Sequence, residues 1–168
     1  MVGLSGSGKS TTAQQLAQLS GAIRLRSDAV RKHLAGISIH DKGGDEIYTP
    51  EMSDRTYTRL ITLGAELASR GYRVILDAKF DRAAKRAEAI AAAQAKNISL
   101  TFLHCTAPAA VLKQRVMSRT GDIADATADI LAKQSMEPFS AAANVQIVDT
   151  TQTKAEISQQ LSSMFGLY

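Results

Sequence analysis

The run Gly3-Leu4-Ser5-Gly6-Ser7-Gly8-Lys9-Ser10-Thr11 constrains the fold more than any other stretch of the chain. It fits the spacing G-x-x-x-x-G-K-S/T, a loop that closes around phosphate groups. Its glycines let the backbone turn N–H groups inward around an anion, in conformations that side chains would obstruct. Ser5, Gly6, Ser7, Gly8, Lys9, Ser10 and Thr11 are therefore the expected nucleotide cradle. Lys9 brings a positive charge to the β/γ phosphates of ATP, and the Ser10 hydroxyl is placed to ligate Mg²⁺. Apolar Met1-Val2 precedes the loop, and Ala13, Leu16 and Ala17 follow at helical spacing. A helix starting at the loop adds the positive end of its dipole to the same site. Nothing in the chain reads the base, so ATP and GTP are not separated.

The rest of the chain alternates short apolar runs with helical periods, the pattern of a parallel sheet covered on both faces. Ala22–Leu25 reads as a second strand, and Ser27 as the cap of a helix that ends near Gly36. Residues Ser38–Tyr48, with Gly43-Gly44, read as a mobile polar loop. Thr49-Pro50-Glu51 starts a helix with Tyr57, Leu60, Ile61, Gly64, Leu67 and Ala68 on one face, ending at Gly71. Tyr72–Leu76 is a third strand ending in Asp77, and Arg82–Lys96 is a helix rich in strong helix formers. Ser99–Cys105 is a fourth strand, followed by a helix from Pro108 to Arg119, the turn Thr120-Gly121-Asp122 and a short helix capped at Asp125. Val145–Val148 is a fifth strand, and Thr153-x-x-Glu156 is a capping box for the last helix. Almost nothing precedes Gly3, whereas a central strand runs to about five residues. This predicts a truncated first strand, a natural chain that continues upstream, and marginal stability if it does begin at Met1.

Ligands of open parallel sheets bind at the carboxyl ends of the strands, where three further groups should meet the loop. Asp28 opens the helix after the second strand, with Arg31 one turn on. The carboxylate can accept a proton from an attacking hydroxyl, and Arg31 can hold an anionic part of the acceptor. The bland alternative is that Asp28 only complements the helix dipole. Asp77, an acid that ends an apolar strand, can sit in the Mg²⁺ outer shell or pair with Arg31. Arg115 and Arg119 share a helical face and can stabilise charge on the transferring group, or form a solvated basic face. Asp122, Asp125 and the helix to Gln134 would then be a lid, roughly residues 115–135. His33, His40 and His104 lack metal-ligand spacing and read as structural or surface residues.

Length and charge narrow the classes further. At 168 residues the chain suits one domain, with no internal repeat or linker. No apolar run approaches the ~18 residues that cross a membrane, and no signal peptide is visible, which predicts a cytoplasmic protein without a membrane partner. The single Cys105 excludes an internal disulfide and reads as a packed thiol. A net charge of +4 favours anionic ligands mildly, while 5% aromatics and no tryptophan argue against a strand-tracking nucleic-acid groove.

With these residues in hand, the chain resembles the small P-loop kinase-like AAA family ATPases, which are similar to polynucleotide 5′-kinases, gluconate kinases and zeta toxins. The matching runs are GLSGSGKST, RSDAVRKHL, IYTPE, VILDAKF, LHCTAPAAVLKQRVMSR and DIADATADILAKQSMEPF, spanning Gly3 to Phe139. Two departures are the short first strand and Lys79, where many relatives carry a small or polar residue. The resemblance implies that Asp28 is the general base, Arg31 the acceptor contact, and Arg115 or Arg119 the lid arginine on the nucleotide. It also implies an upstream fused domain, commonly an aminoglycoside-phosphotransferase-like one. The expected fold is an α/β P-loop NTPase, three-layered, with a five-stranded parallel sheet ordered 2-3-1-4-5. The expected activity is Mg²⁺-dependent transfer from ATP to a small-molecule hydroxyl. A polynucleotide 5′-hydroxyl is the second acceptor class, and a nucleotide-dependent switch without its own acceptor is the non-kinase alternative.

Overall fold

Short β-branched and aliphatic runs bury best as strands with both faces covered. The computed structural model describes residues 1–118 and 134–167, and among these four runs form strands: β1 (Ile23–Arg26), β2 (Val74–Asp77), β3 (Phe102–Thr106) and β4 (Val145–Asp149). β1 pairs with β2 and β3 with β4, both in parallel. Residues 1–3 lie between the two ladders. On one side the Met1 nitrogen donates to Leu76 O at 2.8 Å and Gly3 N to Lys79 O at 3.1 Å. On the other, Val2 N donates to Leu103 O at 2.8 Å and Cys105 N to Val2 O at 2.9 Å. The spatial order is thus β1, β2, residues 1–3, β3, β4, which is the predicted 2-3-1-4-5. The five-stranded ladder itself is not formed. The first strand is a single bridge, Val2 to His104, so the hydrogen bonding resolves into two two-stranded ladders.

The helices are α1 (Lys9–Ser20), α2 (Ser27–Leu34), α3 (Pro50–Ser69), α4 (Ala83–Ala95), α5 (Ala109–Met117) and α6 (Lys154–Phe165). Successive strand side chains point to opposite faces, so the sheet divides the interior into two cores. Met1, Ile75, Leu103, Cys105 and Val148 pack with α1 and α6. Val2, Ala78 and Phe102 pack with Tyr57, Leu60 and Ile61 of α3 and Ala89 of α4. These are the three expected layers. Cys105 is a buried, protonated thiol, its pKa pushed up by burial.

Helix starts follow the sequence signals at two positions and depart at one. The Thr49 hydroxyl accepts from Met52 N with Pro50 in the first turn, and Thr153 and Glu156 form the reciprocal capping box. Ser27 is not the cap of α2: the chain passes from extended Arg26 directly into the helix, with Ser27 its first residue and no side-chain cap bond. The segment expected as loop over 38–48 ends in a 3-10 turn, Asp45–Tyr48, whose Ile47 is buried. Among the described residues no helix is long and apolar enough to cross a membrane.

Candidate active site

The loop Gly3–Gly8 carries the chain from the bridge at Val2 into α1, at the carboxyl ends of the strands. Gly6 and Gly8 both hold φ near +80°, a region that side chains rarely enter. A Cβ at Gly6 would stand 2.5 Å from Leu112 O, and one at Gly8 would stand 2.9 Å from Thr150 Cβ. The glycines therefore serve the turn and the close approach of α5 and the β4–α6 connection. Gly8 caps α1 without a side-chain bond, and the first turn carries no acid. The helix thus presents its positive end to the loop uncompensated, a donor set suited to phosphate.

Lys9 Nζ donates to Leu4 O at 3.0 Å, which holds the ammonium over the loop's entry side. Ser10 lies half-buried in the first turn of α1, and Thr11 is exposed. Among the described residues no group of three His, Cys, Asp or Glu could hold a metal. A Mg²⁺ ion here would depend on Ser10 and nucleotide phosphates, as that ion commonly does.

Asp77 ends β2 with a nearly buried carboxylate, and it pairs with Arg24 and not with Arg31, one of the two roles expected for it. Arg24 Nη2 and Nε donate to Asp77 Oδ2 at 2.5 and 3.1 Å. The parallel register that sets Arg26 opposite Asp77 brings Arg24 alongside on β1. Arg31 is committed elsewhere. It is 8% exposed, donates to Ile47 O at 3.0 Å and Ser53 Oγ at 3.3 Å, and lies over the Tyr48 ring at 5.0 Å. Among the described residues its buried Nε has no hydrogen-bond partner. Asp28 stands in the first turn of α2, about one-third exposed, with Arg26 Nη2 3.6 Å from its Oδ2.

Arg115 ties the loop to the β4–α6 connection. Its guanidinium donates to Thr150 O at 2.7 Å, Thr150 Oγ1 at 2.9 Å and Gly6 O at 3.4 Å. Arg119, Asp122, Asp125 and most of the expected lid over 115–135 lie outside the described residues.

Two functional contacts had no signature in the sequence. Thr150 follows β4 as an ordinary polar residue, yet it receives Arg115 and packs against Gly8. Gln134 was expected at the end of a lid helix. It lies outside any helix or strand, and its Oε1 accepts from Ser5 N at 2.9 Å and its Nε2 donates to Ser5 Oγ at 3.0 Å.

Comparison with known proteins bears on the family and the fold. The family model described as an AAA domain matches residues 1–138. Uncharacterized proteins of Mycobacterium tuberculosis and Mycobacterium bovis are 31% identical over 131 residues, 76% of this chain but 26% of theirs. The chain therefore spans about a quarter of the length of the curated relatives it matches. Among solved structures, a sugar kinase from Janibacter sp. superposes with a TM-score of 0.71 at 22% identity, covering 99% of this chain and 92% of that one. A gluconokinase from Sinorhizobium meliloti gives 0.65 at 25% identity, covering 96% and 87%. The Mycobacterium tuberculosis APS kinase, in complex with AMPPNP and APS, gives 0.70 at 22% identity, covering 99% and 93%. With a matching model over most of its length and a phosphate loop at the head of α1, the chain belongs to the AAA-domain family and has the fold of P-loop kinases.

Proposed function

We propose that this domain is an ATP- and Mg²⁺-dependent phosphotransferase acting on a hydroxyl of a small molecule. The observation that carries the proposal is an uncompensated loop–helix cradle together with a solvent-accessible carboxylate, Asp28, in the first turn of α2 just after β1, both at the carboxyl ends of the parallel strands. Lys9 and the loop N–H groups bind and orient the phosphates of ATP. Ser10 Oγ and the phosphates would hold a Mg²⁺ ion, which would supply charge neutralisation at the transferring group, with Asp77 at the end of β2 as its outer-shell carboxylate. Asp28 takes the proton of the acceptor hydroxyl. As the acceptor oxygen forms its bond to the γ-phosphorus, the bond to the β-bridging oxygen breaks and ADP leaves with that electron pair. Arg31 holds an anionic part of the acceptor, Arg119 supplies charge to the phosphoryl group, and Arg115 keeps the loop in shape through Gly6 O and Thr150. The sugar kinase and gluconokinase structures that share this fold support a small polyhydroxylated acceptor over a polynucleotide.

The test is ATP consumption with Mg²⁺ over a panel of sugars, sugar acids, nucleosides, antibiotics and 5′-hydroxyl oligonucleotides, with Asp28→Ala beside the wild type. One acceptor class should stimulate turnover, and Asp28→Ala should lower that rate about 10²- to 10⁴-fold, the usual worth of a positioned general base. Slow hydrolysis that no acceptor stimulates, unchanged in Asp28→Ala, would exclude the transferase and leave a nucleotide-dependent switch.

A further inference from the structure

The contact between Gln134 and Ser5 joins residues 129 positions apart and falls on the phosphate loop itself. Ser5 N–H is a donor only, so the atom facing it is the amide oxygen, and the amide nitrogen faces Ser5 Oγ. A carboxamide oxygen on a loop N–H stands where a phosphate oxygen would be accepted. The place along the loop is set by Lys9. Its ammonium, the group that engages the β and γ phosphates, sits on the carbonyl of Leu4, the residue before Ser5. The Gln134 amide therefore occupies the terminal-phosphate end of the cradle.

Gln134 is held at that reach by a clamp on the residues that follow it. The buried Arg86 guanidinium donates to four carbonyls: Phe80 at 2.7 Å, Asp81 at 2.9 Å, Glu137 at 2.8 Å and Pro138 at 2.6 Å. It also lies 4.4 Å from the centre of the Phe139 ring. Glu137 adds two bonds, its N–H to Asp81 O at 3.0 Å and its Oε2 accepting from Ala83 N at 2.6 Å. Gln134 thus leaves a fixed segment only three residues away. A side chain so placed is preorganised toward the loop, which lowers the ordering cost of a contact made there.

We propose that Gln134 binds the γ-phosphate, with its amide nitrogen turning from Ser5 Oγ to a terminal phosphate oxygen, and so separates nucleoside triphosphate from diphosphate. This rests on the reading of Gly3–Thr11 as a nucleotide site. The γ-phosphate takes over Ser5 N–H from the amide oxygen, and the amide supplies a donor in return. A purely structural tie would hold the loop equally for both nucleotides.

Calorimetric binding of AMPPNP and of ADP, each with Mg²⁺, separates these cases for the wild type, Gln134→Ala and Gln134→Glu. The expected result is about tenfold weaker AMPPNP binding for Gln134→Ala, with ADP binding within about twofold of wild type, since a hydrogen bond to a charged group is typically worth that much or more. Gln134→Glu should weaken AMPPNP further, because a carboxylate faces the phosphate, and again spare ADP. Equal loss for both nucleotides in Gln134→Ala, or no loss for either, overturns the assignment to Gln134 while leaving the nucleotide site standing. Wild-type protein that binds neither nucleotide overturns both. Melting curves of the variants show that each is folded when titrated. If Gln134→Ala unfolds, ADP and AMPPNP titrations of Gln134→Glu decide on the same criterion.

Discussion

Phe80 adopts φ 45°, a left-handed conformation that a bulky side chain rarely holds, in the turn after β2. Its buried N–H donates to the Tyr57 hydroxyl at 3.1 Å, and the two rings meet edge-on at 5.1 Å. The turn matters for the site, because Lys79 O in it accepts from Gly3 N, the first residue of the phosphate loop. Burial pushes the Tyr57 phenol up to about 12, well above its ordinary value near 10. The proton is thus held more tightly in the folded protein than in the unfolded chain. Stability from this residue is complete below about pH 10 and is lost as pH climbs toward 12, since only the unfolded chain ionises in that window. Tyr57→Phe should cost about 1–3 kcal/mol at pH 8, where it orphans the Phe80 N–H. By about pH 11 the gap to wild type should narrow by roughly 1 kcal/mol. Urea unfolding of both proteins at the two pH values checks this, and a gap independent of pH would mean that the phenol is not desolvated.

At the scale of elements, the fixed segment after Gln134 depends on Arg86, which projects from α4 with four carbonyls as acceptors. Arg86→Met should lower stability by about 3 kcal/mol, or roughly 8 °C in melting temperature for a domain of this size. It should also open residues 134–139 to limited proteolysis. Arg86→Lys should not rescue, because one ammonium cannot span the acceptors that the planar fork reaches. Unchanged cleavage in Arg86→Met would show that the segment is held by something else. The sequence displayed the helices and strands clearly, because periodicity and caps are local: Thr49-Pro50 and Thr153-x-x-Glu156 form as read. Strand ends were less legible. Tyr72 and Ser99 were counted into strands, but each ladder starts only where its neighbour does, at Val74 opposite Ile23 and Phe102 opposite Val145. In the site, the loop and the carboxylates at strand ends were legible as residue types, while their partners were not. Arg24 reaches Asp77 through the register of two strands, Arg31 is taken by a 3-10 turn, and Arg115 meets Thr150 across 35 residues. Long-range choices of this kind are decided by packing, which leaves no local trace.

At the scale of the whole molecule, residues 1–3 join the two ladders. Where β2 and β3 diverge beyond the Val2 bridge, a cavity of about 540 Å³ opens, lined by Leu16, Ile61, Ala68, Val74, Ala93 and Leu100 from both faces of the sheet. Its walls are apolar and come from α1, α3, α4 and the two inner strands, so an extended segment passing through it would gain neighbours above, below and to each side. The Met1 nitrogen already donates to Leu76 O in the parallel register that such a segment would continue. Each aliphatic side chain buried there is worth about 1.5–3 kcal/mol, against about 1–2 kcal/mol for ordering its backbone. The surplus is modest per residue, but it adds to the ladder bonds on both sides. A synthetic extension of four β-branched apolar residues before Met1 should therefore raise the melting temperature by about 5 °C or more, whereas Gly-Ser residues of equal length should not. Calorimetric melts of the two extended proteins and the parent decide it. A melting temperature unmoved by the apolar extension would mean that the cavity does not admit a strand, and that the helices and the bonds of residues 1–3 suffice to join the two ladders.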